Sequence, residues 1–115
     1  MMSDKRREAK FARISRGRVS QSRADEYEVY NYEVGVTPLI ALAVGVVTLR
    51  QDGDSWSEFV TISYWESIEE MREFTGGDPT TIHELPRDSE FLIDPPATLE
   101  ILEVRHASGL GPNPF

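Results

Sequence analysis

Apolar and polar positions alternate most clearly between Glu58 and Phe74, where the pattern predicts a strand that runs directly into a helix. The first half is rich in the β-branched and aromatic residues that a buried strand prefers: Val60, Thr61, Ile62, Tyr64 and Trp65. Ser67 and Glu70 then have the spacing of a capping box, in which each side chain bonds to a backbone amide of the first turn. Gly76-Gly77 ends the helix.

Three further segments have the pattern of strands. Residues 11–19 alternate in polarity, and residues 97–107 place apolar side chains on both faces. Residues 39–51 are apolar almost throughout, and their valines favour a strand over a helix. Asp52-Gly53-Asp54 would then turn the chain into the next strand. A strand that is apolar on both faces needs a cover on each side.

The remaining periodic segment predicts a helix from Arg23 to about Val36, with Ala24, Tyr27 and Val34 on one face. Pro38 should end this helix, because a proline disfavours the helical conformation at the residue before it. A short helix is expected over residues 80–85, followed by a loop over residues 87–96.

The resulting order is β-α-β-β-α-β, the ferredoxin-like α+β motif: a four-stranded antiparallel sheet with two helices on one face. One chain of 115 residues has no layer left for the other face of this sheet. Packing two sheets face to face would cover it. The pattern therefore predicts a homodimer.

Composition indicates one domain, which we expect to span residues 11–107, with a disordered basic arm at 1–10 and a mobile Gly/Pro-rich tail at 108–115. The chain has no cysteine, so disulfides, thiolate zinc sites and cysteine nucleophiles are excluded. It has neither an apolar run long enough for a membrane helix nor a secretory signal, so we expect a cytoplasmic protein without membrane contact.

Charge is unevenly distributed, with a net charge of −8 overall. Residues 1–23 carry eight of the twelve Lys and Arg residues against two acidic ones, so this segment is +6 and the remainder is −14. A basic arm can bind nucleic acid. The acidic body would repel a phosphate backbone, so we expect no nucleic-acid partner and interpret the arm as a frayed terminus and a cationic strand.

Together these segments resemble the dimeric α+β barrel superfamily, and within it the antibiotic-biosynthesis-monooxygenase-like domains. The resemblance covers about residues 11–105, and its most specific part is the strand-W-x-S-x-E-x-[IM]-x-x-F segment from Trp65 to Phe74. It implies a crevice between helices and sheet that takes a small aromatic or polyketide-like substrate. Members of the quinone-forming branch act there without metal or flavin, so the resemblance implies no cofactor.

Some residues depart from the patterns of that superfamily. The haem-degrading branch has a trio of Asn, Trp and His. This chain lacks these residues at the matching places, which argues against haem degradation. Trp65 resembles the Trp of the quinone-forming branch, whereas Thr61 stands where that branch would have Asn. Two functions remain open: a cofactor-independent monooxygenase-like enzyme, and a non-catalytic small-ligand-binding or accessory dimer of the same fold.

Six residues are candidates for the site. His83 is the candidate general base, because histidine titrates near neutral pH and this one lies in the long connection before the last strand. The alternative interpretation is a histidine at the rim without a role. The candidate substrate-binding residues are Trp65, Tyr27, Tyr30, Asn31 and Arg13. Trp65 and the tyrosines could instead be core residues, and Arg13 belongs to a generally basic strand. No spacing of His and acidic residues supports a metal site.

Overall fold

A computed structural model describes residues 7–82, 84–96 and 98–108. Its centre is an antiparallel pair, β1 (Phe11–Ser20) and β3 (Trp56–Trp65), and β2 (Gly45–Asp52) pairs with the other edge of β3. The free side of β1 pairs with β5 (Glu100–Glu103) near one end and with the two-residue β4 (Leu92–Ile93) near the other. The last strand, β5, thus lies beside the first, β1, which confirms the ferredoxin-like α+β fold.

Two helical segments cover one face of this sheet. The first is a continuous helical run, which comprises a 3-10 turn (Gln21–Arg23), α1 (Ala24–Tyr30), a π-helical segment (Asn31–Val36) and α2 (Thr37–Leu42). The second is α3 (Ile68–Thr75). Since side chains alternate across a strand, Phe59, Ser63 and Trp65 of β3 face these helices.

The predicted cap residues of α3, Ser67 and Gly76, are confirmed, whereas Glu70 bonds to the residue before the cap. Ser67 accepts a hydrogen bond on Oγ from the backbone N–H of Glu70 at 3.2 Å, and Glu70 accepts one from the N–H of Glu66 at 3.2 Å. Gly76 ends the helix with φ at 78°, in the left-handed region that favours glycine.

The prediction that Pro38 ends the first helix is wrong. Pro38 lies at the start of α2, directly after the π-helical segment, and the Thr37 hydroxyl donates to the Glu33 carbonyl, which the missing N–H of Pro38 cannot serve. Residues 39–42 are therefore helical, and the strand predicted from residue 39 begins at Gly45. The predicted helix over residues 80–85 is also wrong: among its described residues there is only a turn and a single bridge at Thr81.

Residues 87–96 contain more structure than the expected loop. They form α4 (Asp88–Phe91) followed directly by β4. The last strand is shorter than the predicted residues 97–107, since regular pairing covers only Glu100–Glu103. None of the helices in the described ranges is long and apolar enough to cross a membrane.

The face of the sheet opposite the helices carries an uncovered apolar patch, beside which lie the charged side chains of Arg16, Arg18, Glu58 and Glu100. Leu49 and Leu102 are 49% and 53% exposed there. By the register of the strands they share this face with Ile14, Val47, Val60, Ile62 and Tyr64. The second strand was predicted to be apolar on both sides, but residues 39–42 of that prediction are helical. Within β2, the apolar residues on this face are Val47 and Leu49.

Candidate functional site

A cavity of about 100 Å³ lies between the sheet and the first helical run. The strands supply a polar floor, formed by Arg13, Ser15 and Thr61. Tyr27, Asn31 and Gly35 contribute the helical wall. The connection before β5 closes the cavity with mostly apolar side chains: Ile82, Leu85, Leu92, Pro95, Pro96 and Leu99. An apolar enclosure with a few polar groups is typical of small-molecule sites.

The π-helical segment places Asn31 and Gly35 on the cavity wall. The backbone N–H of Thr37 bonds to the carbonyl of Tyr32 in the wide turn, and Pro38 has no N–H to offer the next carbonyl, that of Glu33. The Thr37 hydroxyl donates to that carbonyl at 2.8 Å instead. Wide turns of this kind are frequent at functional sites.

Gly35 permits close packing inside this wall. A Cβ at this position would lie 3.0 Å from Asn31 Oδ1 and 3.0 Å from Leu85 Cδ1. The absence of a side chain thus lets the Asn31 amide and the Leu85 side chain approach the helix backbone. Together they narrow the cavity at this point.

Arg13 is buried in the floor of the cavity, with only 5% of its surface exposed. Its Nε donates to the carbonyl of Pro79 at 3.0 Å, and its Nη2 donates to the carbonyl of Thr81 at 2.8 Å. Burial lowers the pKa of this guanidinium, but arginine remains charged at any physiological pH. A fixed positive charge therefore lies beside the cavity and ties β1 to the covering connection.

Tyr27 and Asp88 contribute a hydroxyl donor and a carboxylate to the cavity. The Tyr27 ring packs at its edge against Phe59 and Phe91, with centroids 5.1 and 5.3 Å apart. Burial, together with the nearby Asp88 carboxylate, raises the pKa of Tyr27, so its hydroxyl stays protonated as a donor. Asp88 is itself buried and accepts on Oδ2 from the N–H of Leu85 at 2.8 Å.

The structure brings together three of the six predicted residues: Arg13, Tyr27 and Asn31 all line the cavity. Trp65 does not. It is 1% exposed, donates its indole N–H to Ser63 and packs against Phe74 in the core. Tyr30 does not line the cavity either, since its ring stacks on Phe91 and its hydroxyl accepts from the N–H of Arg87 at 2.7 Å. His83 lies outside the described residues.

Four polar residues that line the cavity were not among the predicted candidates: Ser15, Arg16, Thr61 and Asp88. Ser15 and Thr61 are cross-strand partners on β1 and β3, and their polar character on the helix-facing side of a sheet is a signal that sequence reasoning could have used. Asp88 carries no such signal, because it begins a four-residue helix inside a segment without periodicity. No cluster of potential metal ligands occurs in the described part of the chain.

Comparison with solved structures finds the same architecture elsewhere. A crystal structure from Bacillus cereus, named "Putative Antibiotic Biosynthesis Monooxygenase", superposes with a TM-score of 0.61 and 14% sequence identity, over 89% of this chain and 99% of that one. The two proteins share one fold. At this identity the likeness shows the fold and not the reaction. No family model matches the sequence, and no curated protein matches it significantly.

Proposed function

We propose that this chain is a cofactor-independent, monooxygenase-like protein that oxidises a small phenol with dioxygen in the cavity between helices and sheet. The observation that carries the proposal is the cavity itself, in which a buried cation, a buried carboxylate and a protonated tyrosine surround an apolar space. These are the groups needed to deprotonate a phenol and to stabilise the anion that forms. The fold shared with the Bacillus cereus protein agrees with this proposal.

The size of the cavity selects the substrate class. Typical ligand pockets measure roughly 300–1,000 Å³, whereas this one measures about 100 Å³. It is closer to the roughly 150 Å³ cavity that accepts benzene. The reacting part of the substrate is therefore a single aromatic ring.

The proposed reaction balances without a further reactant. A phenol and one dioxygen give a quinone and one water: one oxygen atom becomes the new carbonyl, the other leaves as water, and the ring carbon loses its hydrogen. Asp88 takes the phenolic proton, and Arg13 stabilises the phenolate. The anion then gives an electron to dioxygen, and recombination followed by loss of water yields the quinone.

Oxygen consumption with a panel of single-ring phenols tests this proposal. With ¹⁸O₂, one labelled atom should appear in the quinone and one in water. Asp88→Asn should abolish turnover while keeping the bond from the Leu85 amide, and Asp54→Asn, in an exposed turn, should not change it. Unlabelled quinone, or full turnover by a folded Asp88→Asn variant, would refute the mechanism.

The second candidate, a non-catalytic small-ligand-binding or accessory dimer, is favoured by the same small volume. Such a cavity holds a one-ring ligand but leaves little room for dioxygen beside it. Calorimetry separates the two candidates, since saturable binding of a phenol without any oxygen consumption is expected only of the second. His83 stays a candidate base in the first, and an oxygenase activity unchanged in His83→Ala would remove it from the mechanism.

The uncovered sheet face supports the proposed homodimer. Its apolar side chains come from four strands, β1, β2, β3 and β5, and extended apolar surface of this kind marks an interaction site. Leu49→Lys together with Leu102→Lys should convert a dimer to a monomer in sedimentation experiments. Ile40→Lys, which changes an equally exposed residue of α2, should leave the dimer intact. A wild-type protein that sediments as a monomer would refute this part of the proposal.

A further inference from the structure

The cavity between the helices and the sheet reaches a gap in the edge of the sheet. On the free side of β1, β4 pairs with residues 18–19 and β5 pairs with residues 11–14. Within the described ranges, no strand pairs with residues 15–17 on this side. All three of these residues line the cavity. Since the side chains of consecutive residues point to opposite faces of a sheet, a cavity that contacts all three extends to the edge of the strand.

Solvent exposure places the mouth of the cavity at this same gap. Most of the residues that line the cavity are buried or half-buried. Among the described lining residues, the exposed ones are Arg16, Pro95 and Pro96. The two prolines follow β4, in the connection that leads to β5. The mouth therefore lies between β1 and this connection, at the edge of the sheet and beside the apolar patch proposed for the dimer.

Arg16 gives the mouth a positive charge and a backbone donor. Its guanidinium is half exposed and lies 3.5 Å from Glu100, which is long for an ion pair and leaves the guanidinium accessible to a second anion. The backbone N–H of Val104 bonds to the carbonyl of Lys10 at 2.9 Å, in register with the pairing of β1 and β5. Because bonded pairs alternate along an antiparallel ladder, the N–H of Arg16 also points to this side, into the gap.

The charge of the cavity favours an anionic ligand. Its charged lining residues in the described ranges are Arg13, Arg16 and Asp88, a net charge of +1 in a chain of net charge −8. The proposed reaction of a phenol uses Arg13 and Asp88, so Arg16 remains for a second group. Arg13 and Arg16 are three residues apart on β1, and their Cα atoms are therefore about 10 Å apart. A phenol ring with a short arm suits this distance.

We propose that the mouth binds a carboxylate carried on a short arm of the phenol, so that the substrate is a phenolic acid. The ring lies inside the cavity, and the arm extends from the position opposite the hydroxyl to the guanidinium and backbone N–H of Arg16. This inference rests on the proposed function, because it takes the ring to bind in the cavity.

Two probes of nearly the same shape but different charge test the mouth on the full-length protein. They are 4-hydroxyphenylacetate and 4-hydroxyphenylacetamide. The acid should bind about three-fold more tightly in calorimetry, the gain expected of one exposed ion pair. Arg16→Gln should remove this gain without weakening the amide. Arg18→Gln, which changes an exposed arginine of the same strand outside the cavity, should keep it. Glu100→Gln should strengthen binding of the acid, because the Glu100 carboxylate competes for the same guanidinium.

Nuclear Overhauser contacts locate the arm independently. Its methylene protons should contact Pro95 or Pro96, and the ring protons should contact Tyr27. Three results would overturn the carboxylate site while the proposed function stands: equal affinity of the two probes, loss of the gain in Arg18→Gln as in Arg16→Gln, or an arm that contacts only Tyr27. If neither probe binds, the proposed function itself fails, and this inference with it.

Discussion

Trp65 donates its indole N–H to the hydroxyl of Ser63 at 2.8 Å, and both residues are 1% exposed. The two lie on the same face of β3, two positions apart, so the serine occupies a core position in order to satisfy the buried tryptophan. Ser63→Ala should leave the indole N–H without an acceptor and lower the free energy of unfolding by about 1–3 kcal/mol.

Denaturant unfolding measures this loss, and Ser57→Ala is the matched control. Ser57 is equally buried on the same strand, but its hydroxyl donates to Asp52, a carboxylate that lies at the surface and can bind water instead. A bond to a carboxylate is of the stronger kind, but Ser57→Ala leaves no buried group without a partner, so it should cost less than Ser63→Ala. Equal losses in the two variants would contradict the role assigned to Ser63.

Arg13 should stabilise the protein through the two carbonyls that it bridges. Arg13→Met keeps the apolar stem but removes both hydrogen bonds, and it should cost about 2–3 kcal/mol, because bonds to a charged donor are the stronger kind. Arg13→Lys should not restore the loss, since one ammonium cannot reproduce the planar fork. The free energy of unfolding checks both.

Arg16→Met is the control for this prediction. Arg16 lies on the same strand, half exposed, and pairs with Glu100 at 3.5 Å at the surface. Exposed pairs contribute about 1 kcal/mol at most. If Arg16→Met proved as destabilising as Arg13→Met, net charge rather than the two bridged carbonyls would explain the effect.

Thr37 and Pro38 should be energetically coupled. Thr37→Val removes the hydroxyl that bonds to the Glu33 carbonyl and should cost about 1 kcal/mol. In the background of Pro38→Ala, the new backbone N–H can serve the carbonyls of this turn, so the same substitution should cost less. A double-mutant cycle measures the coupling, and strictly additive effects would show that the hydroxyl does not substitute for the missing amide.

Tyr27 should make the protein less stable at alkaline pH. Its pKa is raised in the folded state, so above pH 10 the unfolded chain releases a proton that the folded chain keeps. Stability is therefore full below pH 10 and falls as the pH rises, by up to about 1.4 kcal/mol per pH unit for one group. Tyr27→Phe should flatten this part of the pH profile relative to the wild type, whereas Tyr32→Phe, at an exposed position, should not.

The features that the sequence predicted correctly are those that depend on residues close together in the chain. The cap residue Ser67 and the glycine stop at Gly76 were confirmed because each involves groups only a few residues apart. The strand order followed from the element order. The prediction at Pro38 was wrong, because a wide turn and the Thr37 hydroxyl together satisfy the backbone carbonyls around this proline.

The site was predictable only in part, for a similar reason. Arg13, Tyr27 and Asn31 stood out as polar residues on strand or helix faces, and they line the cavity. The role of Trp65 depends on the acceptor that Ser63 provides, and a sequence pattern does not show which way an indole N–H points. Asp88 reaches the cavity through a connection whose path is set by tertiary contacts, among them the two bonds from Arg13.

The π-helical segment has a consequence for insertions and deletions. A wide turn contains one residue more than an α-helical turn, so loss of one residue between Asn31 and Val36 would allow an unbroken α-helix. Six residues of this wide segment and five residues of an α-helix turn the chain through roughly the same angle, so α2 would keep its orientation relative to α1. Tyr27 and Leu39, both buried against the sheet, would still face it together. The deletion would remove only the wide turn that places Asn31 and Gly35 on the cavity wall, so it should preserve the fold and alter the cavity.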